Sequence, residues 1–333
     1  MRILFIVENL RLSSAYNDYW QLFPYLSKEH KLFVYSFNAC NIDSKNDAVE
    51  YAFSNFNNFV NNINPDIIVN SAYTDNKLYT RIQSYPCIAY IHGRVNAGSC
   101  CGYKYRIVDN EFTMIRQPNY CKVFKFNTGL GSMPDVGDTI NLRAIKPDRF
   151  IIGSHSRYSK VQMNIRTLLR LLVELRKEIN VSMVLIGSAF SEGSMKLITE
   201  SVLNKEENNA LNDMIILGDC DREATLKVVS GLDCWLSNSY FEGFPVSVLE
   251  AAYYKVPIVV AKVGELSKIF KDESVLFVDD RDNVSSYAKN ILSILRRRID
   301  IASMTNSAYD DVVGTKYNYK EFIKILEEVI NDK

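Results

Sequence analysis

Residues 237–252 read Ser237-Asn238-Ser239-Tyr240-Phe241-Glu242-Gly243-Phe244-Pro245-Val246-Ser247-Val248-Leu249-Glu250-Ala251-Ala252. An apolar run over Asp233–Ser237 stops at serine, a short polar loop follows, and a helical pattern opens near Phe244 or Pro245. Proline suits the first turn of a helix, where its missing N–H costs nothing. The free N–H groups behind it and the helix dipole form an anion site of the kind that takes a phosphate. Glu242 stands just before that helix start and Glu250 lies on the helix. At the rise of an α-helix the two carboxylates are expected about 8–10 Å apart with the anion site between them. That span suits a nucleotide sugar, with one carboxylate on sugar hydroxyls, a diphosphate in the middle and the other carboxylate on ribose. Two acids at this spacing also describe a plain helix start with exposed glutamates, and the spacing alone leaves both open.

Working outward, short β-branched runs alternate with amphipathic stretches along nearly the whole chain, the pattern of an α/β protein with parallel sheets. Strands are expected at Arg2–Val7, Lys31–Ser36, Asp66–Asn70 and Cys87–His92, with helices near 15–29, 46–62 and 75–84. The pattern restarts at Arg149–Gly153 and continues through Ser182–Gly187, Met214–Gly218, Asp233–Ser237, Pro257–Ala261 and Val275–Val278. Leu168, Leu169, Leu171, Leu172 and Leu175 recur at helical spacing and read as a core helix on the second sheet. Between His92 and Arg149 the pattern is poor, and 126–148 carries Gly129, Gly131, Pro134, Gly137 and Pro147, the composition of an interdomain connection. The 333 residues therefore divide into 1–145 and 146–315, with the amphipathic segment 316–333 left over.

Composition removes several classes of function. Lys+Arg and Asp+Glu are 39 each, so the net charge is zero, unlike the strongly basic surface of a dedicated nucleic-acid binder. The first of the 14 glycines is Gly93, and the turn after the first strand reads Glu8-Asn9-Leu10-Arg11-Leu12-Ser13-Ser14. A dinucleotide fingerprint or a P-loop needs glycines there, so dehydrogenase and P-loop kinase readings fail. The seven cysteines include no Cys-x-x-Cys pair and read as free thiols in a reducing compartment; a zinc site from Cys100, Cys101 and His92 would break the spacing of metal sites. No apolar run approaches a membrane span, and the five apolar residues before Glu8 are too few for a signal peptide, so the expected location is cytoplasmic.

The stretch Glu242-Gly243-Phe244-Pro245 through Leu249-Glu250-Ala251, followed by Val256-Pro257-Ile258-Val259-Val260-Ala261, resembles the Glu-x7-Glu signature of retaining glycosyltransferases with the GT-B fold. The likeness is to the family 4-like enzymes of bacterial polysaccharides and lipids. Leu185-Ile186-Gly187, Leu217-Gly218 and Leu232-Asp233 agree with it in order and spacing, and residues 149–295 follow the family pattern. The first half matches in its opening strand, in Asn64-Pro65-Asp66-Ile67-Ile68 and in Tyr90-Ile91-His92-Gly93. The resemblance implies two Rossmann-like domains facing a cleft, donor in the second and acceptor in the first, with the carboxy-terminal helix crossing back to the first domain. It implies that Glu242 touches the donor sugar and Glu250 the ribose. Gly243 and Phe244 would line the sugar pocket, the amides of Val246 and Ser247 would face the diphosphate, and Gly187 and Gly218 would border the donor. Arg157 fits the family's diphosphate arginine. The usual lysine position falls on Gln162 or Met163, so Lys160 would have to reach in, and His92 would stand near the reacting sugar.

The same resemblance implies retention of anomeric configuration, a nucleotide diphosphate sugar (UDP-sugar foremost) as donor, no cofactor, and no obligatory metal. The acceptor would be a glycan or lipid-linked glycan of cell-surface polysaccharide, lipopolysaccharide or capsule biosynthesis. Residues 94–125 carry Arg94, Lys104, Arg106, Arg116, Lys122 and Lys125 among aromatic and apolar side chains, which suits peripheral contact with an anionic membrane and equally an ordinary solvated loop. Two rivals remain: a nucleotide-sugar epimerase on the same fold, and a non-catalytic GT-B subunit partnering another glycosyltransferase.

Overall fold

The computed structural model describes residues 1–9, 19, 22–38, 47–71, 76–91, 102–109, 111–126, 129–130, 133–137, 140, 142–145, 148–155, 165–187, 203–218, 220–242, 244–314 and 319–332. The chain divides into two compact units, Met1–Ser132 with Tyr317–Lys333, and Met133–Lys316.

The first unit is built on a seven-stranded, wholly parallel sheet. Its strands are β1 (Arg2–Asn9), β2 (Lys31–Asn38), β3 (Val49–Ala52), β4 (Ile67–Asn70), β5 (Cys87–Ile91), β6 (Tyr105–Val108) and β7 (Lys122–Lys125), in the order β3-β2-β1-β4-β5-β6-β7. Alternation along β1 sends Ile3, Phe5 and Val7 to one core and Leu4 and Ile6 to the other, as a sheet covered on both faces requires. The second core takes the helices Phe56–Ile63 and Asn76–Ile82. The first takes the helix Tyr319–Asn331, whose Phe322, Ile325, Leu326 and Val329 are buried against it. The carboxy-terminal segment thus returns to the first unit.

Three elements here depart from the sequence expectation. The helix expected over 46–62 is a strand, Val49–Ala52, followed by the shorter helix Phe56–Ile63. Asn55 and Asn64, both left-handed, bound that helix, and Val49–Ala52 pairs with β2 as a sheet edge. The irregular stretch after His92 contains β6 and β7. Arg106 in β6 is fully buried, which hides the strand from a hydropathy reading.

The second unit carries a six-stranded parallel sheet of β8 (Phe150–His155), β9 (Val181–Ile186), β10 (Met214–Gly218), β11 (Cys234–Ser237), β12 (Ile258–Ala261) and β13 (Leu276–Val278), in the order β10-β9-β8-β11-β12-β13. All six strands lie where the sequence places them, with ends shifted by a residue or two. The leucine stripe belongs to the helix Ile165–Leu175, which packs beside the helix Val284–Leu295 through Tyr287, Ala288, Ile291 and Ile294. The unit begins at Met133, ahead of the boundary expected at 146. The reason is local bonding: Ile140 N–H donates to Lys227 O, Tyr254 Oη donates to Pro134 O at 2.9 Å, and Arg222 Nη2 reaches Met133 Sδ at 3.7 Å. The glycine- and proline-bearing segment is therefore part of the second unit's surface.

Candidate functional site

The order of the second sheet locates its site before any side chain is considered. The chain winds outward through β8, β9 and β10, then returns to place β11 on the other side of β8. In open α/β sheets ligands bind outside the carboxyl ends of the strands where this reversal occurs. At that point lie Ser154 and His155 of β8 and Ser237, Asn238 and Ser239 at the end of β11. These last three are buried, and Ser237 and Ser239 share a hydroxyl hydrogen bond of 3.1 Å.

The helix that opens here runs Val246–Tyr253 with Pro245 as its N-cap. Pro245 has φ −84° and ψ 63°, an inverse γ-turn that closes Val246 N–H onto Phe244 O at 2.9 Å. Val248 and Leu249 both donate to Pro245 O. The expectation that Val246 and Ser247 offer amides together is therefore narrowed: Val246 N–H is engaged inside the turn, and Ser247 N–H donates to no described residue. Phe244, Val246 and Ser247 are partly exposed at this helix start.

Glu242 is partly exposed in the loop ahead of the turn, and two neighbouring loops contact this loop, one at Glu242 and one at Tyr240. After β12, Gly264 (φ +60°) packs so tightly that a Cβ there would stand 2.0 Å from Glu242 O. After β13, the Arg281 guanidinium lies 3.8 Å over the Tyr240 ring and donates to Tyr240 O at 3.4 Å. Tyr287 Oη donates to Ser237 O at 3.5 Å, and burial raises its phenol well above the usual value.

Glu250 is only 3% exposed. Its Oε1 accepts from Arg222 Nη1 at 2.6 Å, and among the described residues Arg222 is the carboxylate's single side-chain partner. Arg222 opens the helix Arg222–Ser230 behind β10, where Asp221 caps the helix through its Oδ1 and Ala224 N–H. Burial, then the neighbouring Tyr253 and Glu250, push the Tyr254 phenol up to about 12. Gly187 directly follows β9 and Gly218 ends β10, and Gly187 N–H donates to Gly218 O at 2.8 Å. Gly218 has φ +67°, a conformation that favours glycine.

The second unit thus brings Glu242, Phe244, Val246, Ser247 and Glu250 onto one loop and the helix it enters. Arg157, Lys160, Gly243 and His92 lie outside the described residues, as do Cys100 and Cys101. Sequence reasoning missed Arg222, Gly264 and Arg281. Arg222 carries a faint signal, a cation in the first turn of a helix where the dipole favours acids; the other two act through loops distant in sequence.

In the basic stretch 94–125 one cation is buried and two of the exposed ones are paired. Arg106 is fully buried and donates to Gln117 Oε1 at 2.7 Å. Lys104 pairs with Asp332 at 3.6 Å and Lys122 with Glu328, both on the carboxy-terminal segment. What stands out instead is apolar: Ile115 is 73% and Tyr120 67% exposed, with Met114 and Arg116 exposed beside them.

The pattern of the family described as "Glycosyl transferases group 1" matches residues 139–311. No curated protein sequence matches the chain. Among solved structures, HepE of Anabaena in complex with UDP and glucose is 14% identical over all of both chains, with a TM-score of 0.75. Sucrose-phosphate synthase of Thermosynechococcus elongatus is 13% identical over 98% of this chain and 96% of its own, with a TM-score of 0.76. WaaG, a glycosyltransferase involved in lipopolysaccharide biosynthesis, is 11% identical over 99% of this chain and all of its own, with a TM-score of 0.69. At these identities the likeness establishes the architecture, two parallel-sheet Rossmann-like domains of the GT-B fold. With more than half of its length matched by the family pattern, over a unit whose switch point carries the two glutamates, the chain belongs to the glycosyl transferases of group 1.

Proposed function

We propose that this glycosyltransferase takes a sugar from a nucleotide diphosphate sugar, UDP-sugar foremost, and transfers it with retention of configuration to a lipid-linked glycan of cell-surface polysaccharide biosynthesis. One observation carries the reading: a nearly buried glutamate, Glu250, held by Arg222 on the helix that opens at the second unit's switch point. The family membership and the likeness to a structure solved with UDP and glucose support it. In this reading Glu250 accepts from ribose hydroxyls, Ser247 N–H and the helix start meet the diphosphate, and Glu242 accepts from the hydroxyls of the sugar. Phe244 and Gly243 line the sugar pocket, with Gly187 and Gly218 bordering the nucleotide.

Transfer then proceeds by front-face attack. The acceptor oxygen bonds to the anomeric carbon as the bond to the diphosphate breaks, and the departing diphosphate oxygen takes the acceptor's proton. Arg157, Lys160 and the helix start stabilise the charge that develops on the leaving group, the kind of electrostatic effect that commonly dominates such catalysis. His92 stands near the reacting sugar. No metal or cofactor is required by this scheme. The exposed Met114, Ile115 and Tyr120 support a peripheral, lipid-facing acceptor side more than the cations do, since Lys104 and Lys122 are paired within the first unit.

A thermal-shift screen of UDP-, GDP-, ADP- and dTDP-sugars tests the donor. A ligand at 100 times its dissociation constant stabilises by about 2.7 kcal/mol, a shift easily read. A flat response to all four removes the reading. For the acceptor side, sedimentation with vesicles is expected to fall when Ile115 and Tyr120 are replaced by serine. Indifference to that change removes the membrane contact.

A further inference from the structure

Arg222 occupies a position that local helix physics does not favour. It is the first residue of the helix Arg222–Ser230, at the positive end of the dipole, between Asp221, which caps the helix, and Glu223, which pairs with Lys227 four residues on. Its Nη1 donates instead to a carboxylate 28 positions away, Glu250 Oε1 at 2.6 Å, while its Nη2 rests 3.7 Å from Met133 Sδ. The pair is asymmetric: the Glu250 side chain is 4% exposed and that of Arg222 21%. A buried pair of this kind is a weak source of stability, because removing two charges from water offsets most of their attraction. It does restrict where a carboxylate can point. With Oε1 taken by the guanidinium and no other described side chain on Glu250, the direction of Oε2 is set by Arg222.

Resting on the donor reading above, we infer that Arg222 is the positioning residue for ribose: it aims Glu250 Oε2 at the ribose hydroxyls and so makes the site discriminate ribonucleotides from deoxyribonucleotides. A carboxylate bonded to a hydroxyl rejects the analogue lacking that hydroxyl, because the buried acceptor is then left unsatisfied. A carboxylate free to turn would lose that selectivity while the diphosphate contacts at the helix start remain.

The test compares UDP with 2′-deoxy-UDP and 3′-deoxy-UDP by calorimetry on the full chain. The unmodified protein is expected to prefer UDP to at least one deoxy analogue by about tenfold or more, the range of a hydrogen bond to a charged acceptor. Arg222→Ala is expected to bring that ratio to within about twofold, and Arg222→Lys to restore part of it. Glu250→Ala should flatten the ratio as well, and the double variant should do no more than either alone, as expected for two residues acting as one unit. Because the ratio is taken on a single preparation, it does not depend on the fraction folded. If Arg222→Ala weakens UDP and its analogues equally, or leaves the ratio intact, Arg222 is structural and the inference is overturned. If the unmodified protein does not bind UDP at all, the donor reading with UDP fails first, and this inference fails with it.

Discussion

A methyl group at position 264 would stand 2.0 Å from the carbonyl oxygen of Glu242, in a residue whose φ of +60° already disfavours any side chain. Gly264→Ala therefore forces the Glu242 loop to move. Glu242→Gln changes the chemistry instead, keeping the shape and losing the charge that orients sugar hydroxyls. Both are expected to lower kcat, Glu242→Gln by about 100-fold or about 2.7 kcal/mol, with nucleoside diphosphate affinity nearly unchanged because Glu250 and the helix start are untouched. Steady-state kinetics beside calorimetry check this; full activity in Glu242→Gln would remove that residue from the sugar site. At this scale the sequence was partly legible. The two glutamates and the helix start stand in one continuous run, whereas Gly264, Arg281 and Arg222 act across 22, 41 and 28 positions from Glu242, Tyr240 and Glu250, and such contacts leave no local pattern.

Among the elements, legibility followed hydropathy. The six strands of the second unit are apolar runs closed by turns, and each was readable. In the first unit β6 contains the buried Arg106, and β7 is an edge strand with lysine at both ends, so neither shows an apolar run. The helix Lys205–Ala210 shows how a short element is held by its ends. Asn204 Oδ1 accepts from Glu207 N–H at 2.8 Å, and Glu207 Oε2 accepts from Asn204 N–H at 3.1 Å, a reciprocal capping box. Arg166 and Arg170 from the helix Ile165–Leu175 approach Glu207 Oε1 at 3.4 and 3.2 Å. Burial alone would raise the Glu207 carboxyl, but the Asn204 amide and the two guanidiniums outweigh it and hold it below its ordinary value. A depressed carboxyl contributes stability that is present above its ordinary value and is lost as pH falls through the folded one. Glu207→Gln is therefore expected to cost about 1–2 kcal/mol at neutral pH, the low end for hydrogen bonds to a charge because the two arginines are well exposed. Urea titrations at several pH values should show that gap closing as pH falls from the ordinary glutamate value through the depressed one, and a gap that persists in stronger acid would place the effect in packing.

For the whole molecule, two sheets of like winding are made from one chain, and the chain ends by returning to the unit where it began. A 13-residue helix is marginal alone in water, so Tyr319–Asn331 depends on the surface it covers. Phe322 is fully buried there, with ring centroids 5.2 Å from Phe126 and 6.4 Å from both Phe5 and Tyr90. Around this apolar seam Tyr105 Oη donates to Asp332 at 2.8 Å, and Lys104 and Lys122 pair with Asp332 and Glu328. These outer pairs are solvent-exposed and screened, so the seam rather than the charges should hold the helix. Phe322→Ala is expected to destabilise the first unit by about 3–5 kcal/mol, the usual cost of emptying a large aromatic site in a core. Hydrogen exchange can read the effect by region. Amides of β1 and β4, which pair beneath Phe322, should exchange faster by two orders of magnitude or more, about 1.4 kcal/mol per decade. Amides of β8 and β11 should keep their rates, since their core is built from other residues. Replacing Lys104 and Lys122 by alanine should have a much smaller effect, and one that disappears in high salt. If β8 and β11 were to speed up as much as β1 and β4, the two units would unfold as one, and the helix would belong to the stability of the entire chain rather than to the first sheet.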